Sequence, residues 1–168
     1  MRIALTGTPG TGKTTASERL ASDIEVVHLN RIVTEEDLTV GHDDERDSAI
    51  ADLDAVADRV ADRDDVLVES HLAHHLDVDR VIVLRCHPEE VIDRLEERGE
   101  SPASARENAE SEALDVVLGE AVATHGREAV IEIDTTDRPP GAVADAIDRA
   151  IDGEGPAPGS VSFVGWLA

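Results

Sequence analysis

The run Gly7-Thr8-Pro9-Gly10-Thr11-Gly12-Lys13-Thr14 fits G-x-x-x-x-G-K-[ST] at every position. Few patterns restrict a fold more, because this one works only between a strand and a helix. The glycines let backbone N–H groups turn inward around a phosphate, and the helix that follows must aim its positive end at the same point. The flanks agree. Arg2–Thr6 reads as a short buried strand and Lys13–Ser22 as a helix. Read as a bare turn into a helix, the segment would leave Lys13 unexplained, and Lys13 is the only lysine among 168 residues. A compact ammonium on a flexible stem can sit between two phosphates where the planar fork of an arginine fits poorly. Lys13 is therefore read as bridging β- and γ-phosphates, and Thr14 as offering its hydroxyl to Mg²⁺.

The rest of the chain alternates in the same βα manner. Val26, Val27 and Leu29 suggest a second strand, and the polar stretch 30–48 reads as a mobile insertion with at most a short helix. From Ala49 onward Ile50, Leu53, Val56, Ala57 and Val60 recur at helical spacing. Val66–Val68 and Val81–Leu84 are continuous apolar runs, as in strands covered on both faces of a parallel sheet. Pro88-Glu89-Glu90 opens a helix that ends at Gly99. A loop is expected over 99–107, a helix over 108–123, a strand over 129–133 and a last helix from Pro139-Pro140 to Ile151. The Gly- and Pro-rich stretch 153–160 begins a C-terminal tail. The order specifies one α/β domain over 1–151, followed by a tail over 152–168.

Charge bears on partners more than on fold. Thirty-eight acidic residues against fifteen basic ones give a formal net charge of -23, spread along the chain. Such a surface suits a salt-rich cytoplasm, as in a halophile. No direct sequence-specific nucleic-acid binding is expected, because phosphate backbones are held by clustered Lys and Arg. An apolar fraction of 40% separates the chain from charged disordered polymers. Met1–Leu5 leads straight into the glycine-rich loop, so no signal peptide is expected. No apolar run is long enough for a membrane span. The single cysteine, Cys86, reads as a small semi-buried side chain and fits a reducing cytoplasm.

Many activities share the loop, so the remaining polar residues must choose among them. Glu69 ends the third strand, at the sheet edge where ligands of open α/β folds collect; it either holds Mg²⁺ through water or is simply solvated there. His71, His74 and His75 share one short stretch, but no cysteine and no partner at fixed spacing supports a zinc site. Phosphoryl transfer needs positioned cations. Arg94, Arg98 and Arg106 qualify by location, although Arg94 reads rather as pairing with neighbouring acids and Arg106 reads equally as a surface residue. Arg138 follows Asp134-Thr135-Thr136 at the same sheet edge and can stack on a nucleobase.

Three segments in combination resemble the adenylate kinase isoenzyme 6 family of P-loop nucleoside monophosphate kinases: Thr6–Thr15, Thr34-Glu35-Glu36-Asp37-Leu38, and Arg94-Leu95-Glu96-Glu97-Arg98-Gly99, which Asn108 and Glu112 continue. The resemblance covers about 2–151. It implies a three-layer P-loop nucleoside-kinase-like α/β fold with a five-stranded parallel sheet and helices on both faces. It also implies a monophosphate-binding insertion at 28–51 and a lid at 97–107. ATP contacts carry over to Gly10, Gly12, Lys13, Thr14, Thr15 and Arg98. The family's Asp-x-His motif stands here as Glu69-Ser70-His71. Catalytic roles then fall to Lys13, Glu69, His71 and Arg98, with Mg²⁺ on Thr14 and, through water, Glu69. Thr34 stands where relatives often have Arg, which leaves Arg31 as the close cation for the acceptor phosphate. The implied reaction moves the γ-phosphoryl of ATP to AMP or another nucleoside monophosphate. The implied second role, with ATPase activity, is small-subunit (16S rRNA) maturation, with a small-subunit ribosomal protein and the pre-30S particle as partners.

Overall fold

A computed structural model describes residues 1–168. The central sheet is five-stranded and wholly parallel, in the order β2-β5-β1-β6-β7. Its strands are β1 (Arg2–Thr6), β2 (Glu25–His28), β5 (Val66–Glu69), β6 (Arg80–Arg85) and β7 (Val130–Asp134). A two-stranded antiparallel ribbon, β3 (Thr39–Asp43) with β4 (Ser48–Ala51), stands apart from it.

Alternation along the strands separates two cores. Ala4, Val27, Val68, Val81 and Val83 face one way, against α3 (Leu53–Val60) and α6 (Val116–His125). Ile3, Leu5, Leu67, Ile82, Leu84 and Ile133 face the other way, against α1 (Lys13–Ser17) and α7 (Pro140–Ile151). Both faces are therefore covered, and the continuous Val/Ile/Leu runs follow from that. A third cluster joins α4 (Pro88–Glu97) to α5 (Pro102–Ala113): Ala105 and Ala109 lie against Val91, Leu95 and Cys86. Each fully buried aliphatic side chain contributes about 1.5–3 kcal/mol.

The structure corrects the sequence reading in several places. The first helix stops at Ser17, short of Ser22; the N–H groups of Ala21 and Ser22 donate to the Asp148 carboxylate on α7 instead of to helical carbonyls. Leu29 does not extend β2. It opens α2 (Leu29–Glu35), where it is the buried residue. The polar insertion is ordered as α2 plus the β3–β4 ribbon. The ribbon is exposed on both faces, so burial imposes no alternation on its sequence. Ile50 belongs to β4, and α3 begins only at Leu53, where the Asp52 carboxylate accepts from the N–H of Ala55 at 3.1 Å.

The largest correction concerns 99–107, expected to be a loop. Only Gly99–Ser101 is. Ser101 Oγ accepts from the Ser104 N–H at 3.1 Å, and Pro102 takes the first helical position, so α5 starts there. The expected helix over 108–123 is split where Asp115 adopts φ 56°. The tail is docked: Pro156 accepts from the N–H of Glu132 at 3.0 Å, and the N–H and hydroxyl of Ser160 both donate to the Glu132 carboxylate.

Candidate active site

The carboxyl ends of β1, β2 and β5 lie level, since Leu5 and His28 both pair with Glu69 in register. That alignment gathers the polar groups. The loop from Gly7 leaves β1 so close to β6 that a Cβ on Gly7 would stand 2.6 Å from the Leu84 carbonyl oxygen; only glycine fits. Lys13 is buried, and its ammonium donates to the carbonyls of Gly7 at 2.8 Å and Thr8 at 3.1 Å. Burial lowers its pKa to about 8, with Glu69 opposing and Arg98 adding to the shift. A phosphate at the loop would supply the counter-charge that burial withholds.

The Thr14 hydroxyl donates to Glu69 Oε1 at 3.3 Å, and His28 Nδ1 lies 2.8 Å from Glu69 Oε2. Glu69 is buried with those two partners, which removes its reading as a solvated strand end. A hydroxyl beside a carboxylate is the hard oxygen pair that suits Mg²⁺. These groups, with Asn30, His71 and Arg98, line a small polar recess. His71 is held neutral, its pKa lowered to about 4 chiefly by burial and then by Lys13.

A larger recess of about 420 Å³ adjoins on the other side of Gly12, lined by Thr15, Arg94, Arg98, Thr135, Arg138 and Val143 among others. Arg98, the residue capping α4, borders both recesses. Its guanidinium makes no hydrogen bond or ion pair, in a chain of net charge -23. Arg94 does two things: it pairs with Glu90 at 3.0 Å and donates to the Gly10 carbonyl at 3.2 Å. Arg138 is tied to the carbonyls of Asp134 and Ala142. Arg106 lies outside, pairing with Glu110 and standing over Trp166. Arg31 borders neither recess; it is exposed on α2, 3.5 Å from Glu18.

A buried ion network behind the loop has no counterpart in the sequence reading. Arg85 at the end of β6 donates to Glu112 at 2.7 Å and Glu132 at 2.6 Å, and also pairs with Asp115. Glu112 in turn accepts from the Thr8 hydroxyl at 2.6 Å and from the N–H of Cys86 at 3.0 Å. The loop is thus fastened to α5. His28 and Arg85 both end sheet strands, so the sheet-edge rule that found Glu69 could have found them.

Residues 3–115 match the family described as AAA domain. A relative from Natronomonas pharaonis, named "Putative adenylate kinase", is 62% identical over 99% of this chain and all of its own length. One of the same name from Methanosarcina acetivorans is 41% identical, over 90% of this chain and 87% of its own. The chain belongs to the adenylate kinase isoenzyme 6 family. Solved structures support the fold. Shikimate kinase from Acinetobacter baumannii superposes with a TM-score of 0.59 at 21% identity, over 90% of this chain and 93% of its own. Deoxyadenosine kinase from M. mycoides gives 0.56 at 14% identity, over 92% and 100%. The P-loop kinase fold expected from the sequence is the fold observed.

Proposed function

We infer that this family member binds ATP with Mg²⁺ and transfers the γ-phosphoryl group to a nucleoside monophosphate. One observation carries the reading: Lys13, Thr14, Glu69 and Arg98 border a single polar recess that continues past Gly12 into a second one of nucleoside size. The larger recess suits the base and ribose of ATP, with Thr15 and Arg138 on its wall. The loop N–H groups and Lys13 then hold the phosphates. Mg²⁺ on Thr14, and on Glu69 through water, would spread the negative charge of the phosphates. Arg98 is the cation free to follow charge as it moves. His71 is neutral and acts as a hydrogen-bonding group. Arg31 would reach an acceptor phosphate only by leaving Glu18, in step with α2. In this reading 28–51 is the acceptor-binding insertion, and the lid at 97–107 comprises the Gly99–Ser101 turn with the start of α5.

A second reading has nucleotide turnover serve small ribosomal subunit maturation through contact with a small-subunit ribosomal protein, with the cytoplasm as its place. The acidic surface favours it, since a charge of -23 attracts a basic partner. ADP formation from ATP and Mg²⁺, measured at high KCl with each nucleoside monophosphate present or absent, separates the two. Acceptor-dependent turnover is expected. Acceptor-independent hydrolysis that rises only with a basic ribosomal protein would replace the first reading by the second.

A further inference from the structure

The three histidines that share one stretch of sequence part company in the fold. His71 joins the small recess, while His74 and His75 turn toward α6 through a 3₁₀ turn at Ala73–His75. There they meet Glu120. One ligand atom from each of His74, His75 and Glu120 lies within 4.8 Å of the others. His74 Nε2 is 2.8 Å and His75 Nε2 3.7 Å from the same carboxylate oxygen, Glu120 Oε2. The two imidazole rings stand side by side, with centroids 4.2 Å apart.

The surroundings hold this corner in place. His74 is buried, and its other ring nitrogen, Nδ1, lies 2.8 Å from the Thr6 hydroxyl. Without an ion, Nε2–H donates to the Glu120 carboxylate and Nδ1 accepts from the Thr6 hydroxyl; a cation on Nε2 would shift the ring proton to Nδ1, which could donate to the Thr6 oxygen in the outer-shell arrangement that orients a metal-binding histidine. His125 Nε2 lies 2.7 Å from the His74 carbonyl oxygen and pins the turn. Glu120 and His75 are partly exposed, at 47% and 35%, so their side chains can adjust and water can reach the cluster. Tetrahedral bonds of about 2.0–2.1 Å put ligand atoms about 3.3 Å apart. The two His–Glu separations, 2.8 and 3.7 Å, lie on either side of that value.

We propose that His74, His75 and Glu120 form a binding site for one divalent cation of the zinc class, with a fourth position open to water. Two imidazoles and a carboxylate suit Zn²⁺ or Co²⁺ and discriminate against Mg²⁺, which prefers oxygen donors alone. The site is therefore chemically separate from the oxygen pair Thr14 and Glu69. Its structural effect is a brace: the cation joins the turn after β5 to α6 and, through Thr6, fixes the residue that enters the phosphate loop. The missing partner in the sequence lay 46 residues from His74, and only the packing of α6 on the sheet supplies it.

The test titrates Co²⁺, and separately Zn²⁺, into the full chain at high KCl with excess Mg²⁺, conditions that screen the acidic surface and fill oxygen-only sites. One equivalent of Co²⁺ per chain is expected, with the intense visible absorption of a four-coordinate ion. Zn²⁺ should displace it and raise the melting temperature. His75→Ala and Glu120→Gln, both at partly exposed side chains, should each weaken binding more than 100-fold, and Thr6→Val about 10- to 100-fold. Glu69→Gln should leave the Co²⁺ signal unchanged. The site is overturned if no stoichiometric uptake occurs under these conditions. It is equally overturned if uptake survives both His75→Ala and Glu120→Gln, or if Glu69→Gln abolishes it.

Discussion

Lys13 combines two demands in one side chain. Its ammonium is buried on the carbonyls of Gly7 and Thr8, so it closes the loop on itself, and it lines, with Arg98, the recess proposed to hold the transferring phosphate. Lys13→Ala should lower phosphoryl transfer by at least about 10²–10³-fold, the loss that follows removal of one charge-stabilising donor. The melting temperature at fixed salt should change little, since no core apolar contact is lost. Near-normal turnover would remove the lysine from the reaction. Cys86 is the opposite case, a reactive side-chain type made inert by its place. Burial raises its pKa to about 12, so at pH 8 it is a thiol and not the thiolate that attacks alkylating reagents. Iodoacetamide labelling of the native chain should be slow and should become rapid in denaturant. Fast native labelling would show that the α4–α5 cluster opens readily.

Between elements, the α4–α5 hairpin would set how the proposed site closes. Gly99 sits at φ 91° just past the end of α4, where a side chain is strained. Arg98 immediately precedes that turn. The close packing of Ala105 and Ala109 on Val91 and Leu95 makes the helices one block, which leaves the three-residue turn and the Arg98 side chain as the movable part. Because its guanidinium has no partner at rest, Arg98→Ala should reduce kcat about 10²–10³-fold while ATP affinity changes much less. Equal losses, read by steady-state kinetics and ATP titration, would indicate ground-state binding instead. The second contact between elements is Glu112, which links α5 to the loop through Thr8 and to β6 through Arg85. Glu112→Ala leaves the Arg85 charge, the Thr8 hydroxyl and the Cys86 N–H short of a partner. A loss of about 3–5 kcal/mol in urea denaturation is expected, together with weaker triphosphate binding. Preserved stability would mean that Glu132 and Asp115 satisfy Arg85 by themselves.

On the scale of the whole molecule, net charge sets the conditions in which the fold persists. Many of the surface ion pairs, such as Arg46 with Glu107 or Arg59 with Glu36, join half-exposed side chains and are screened by water and salt. They cannot offset the mutual repulsion implied by -23. The melting temperature should therefore rise steeply with added KCl as screening shortens the range of that repulsion. A melting temperature indifferent to salt would show that the acidity is compensated locally.

The sequence by itself determined the strand-loop-helix unit, the five parallel strands and the position of the glycine-rich loop and of Glu69 at one edge of the sheet. Each rests on local chemistry: glycines, one lysine, continuous apolar runs, and an acidic residue at a strand's carboxyl end. It also carried the start of α5, in Ser101-Pro102, but the apolar face of that helix is built from alanines and gives no strong period. The β3–β4 ribbon left no signal because neither of its faces is buried. Which polar residues meet was decided only by tertiary packing. Glu112 reaches Thr8 across 104 positions, and Glu120 reaches His74 across 46. Such pairs cost chain entropy to bring together, and that cost is met by core contacts elsewhere in the fold. No spacing in the chain encodes them.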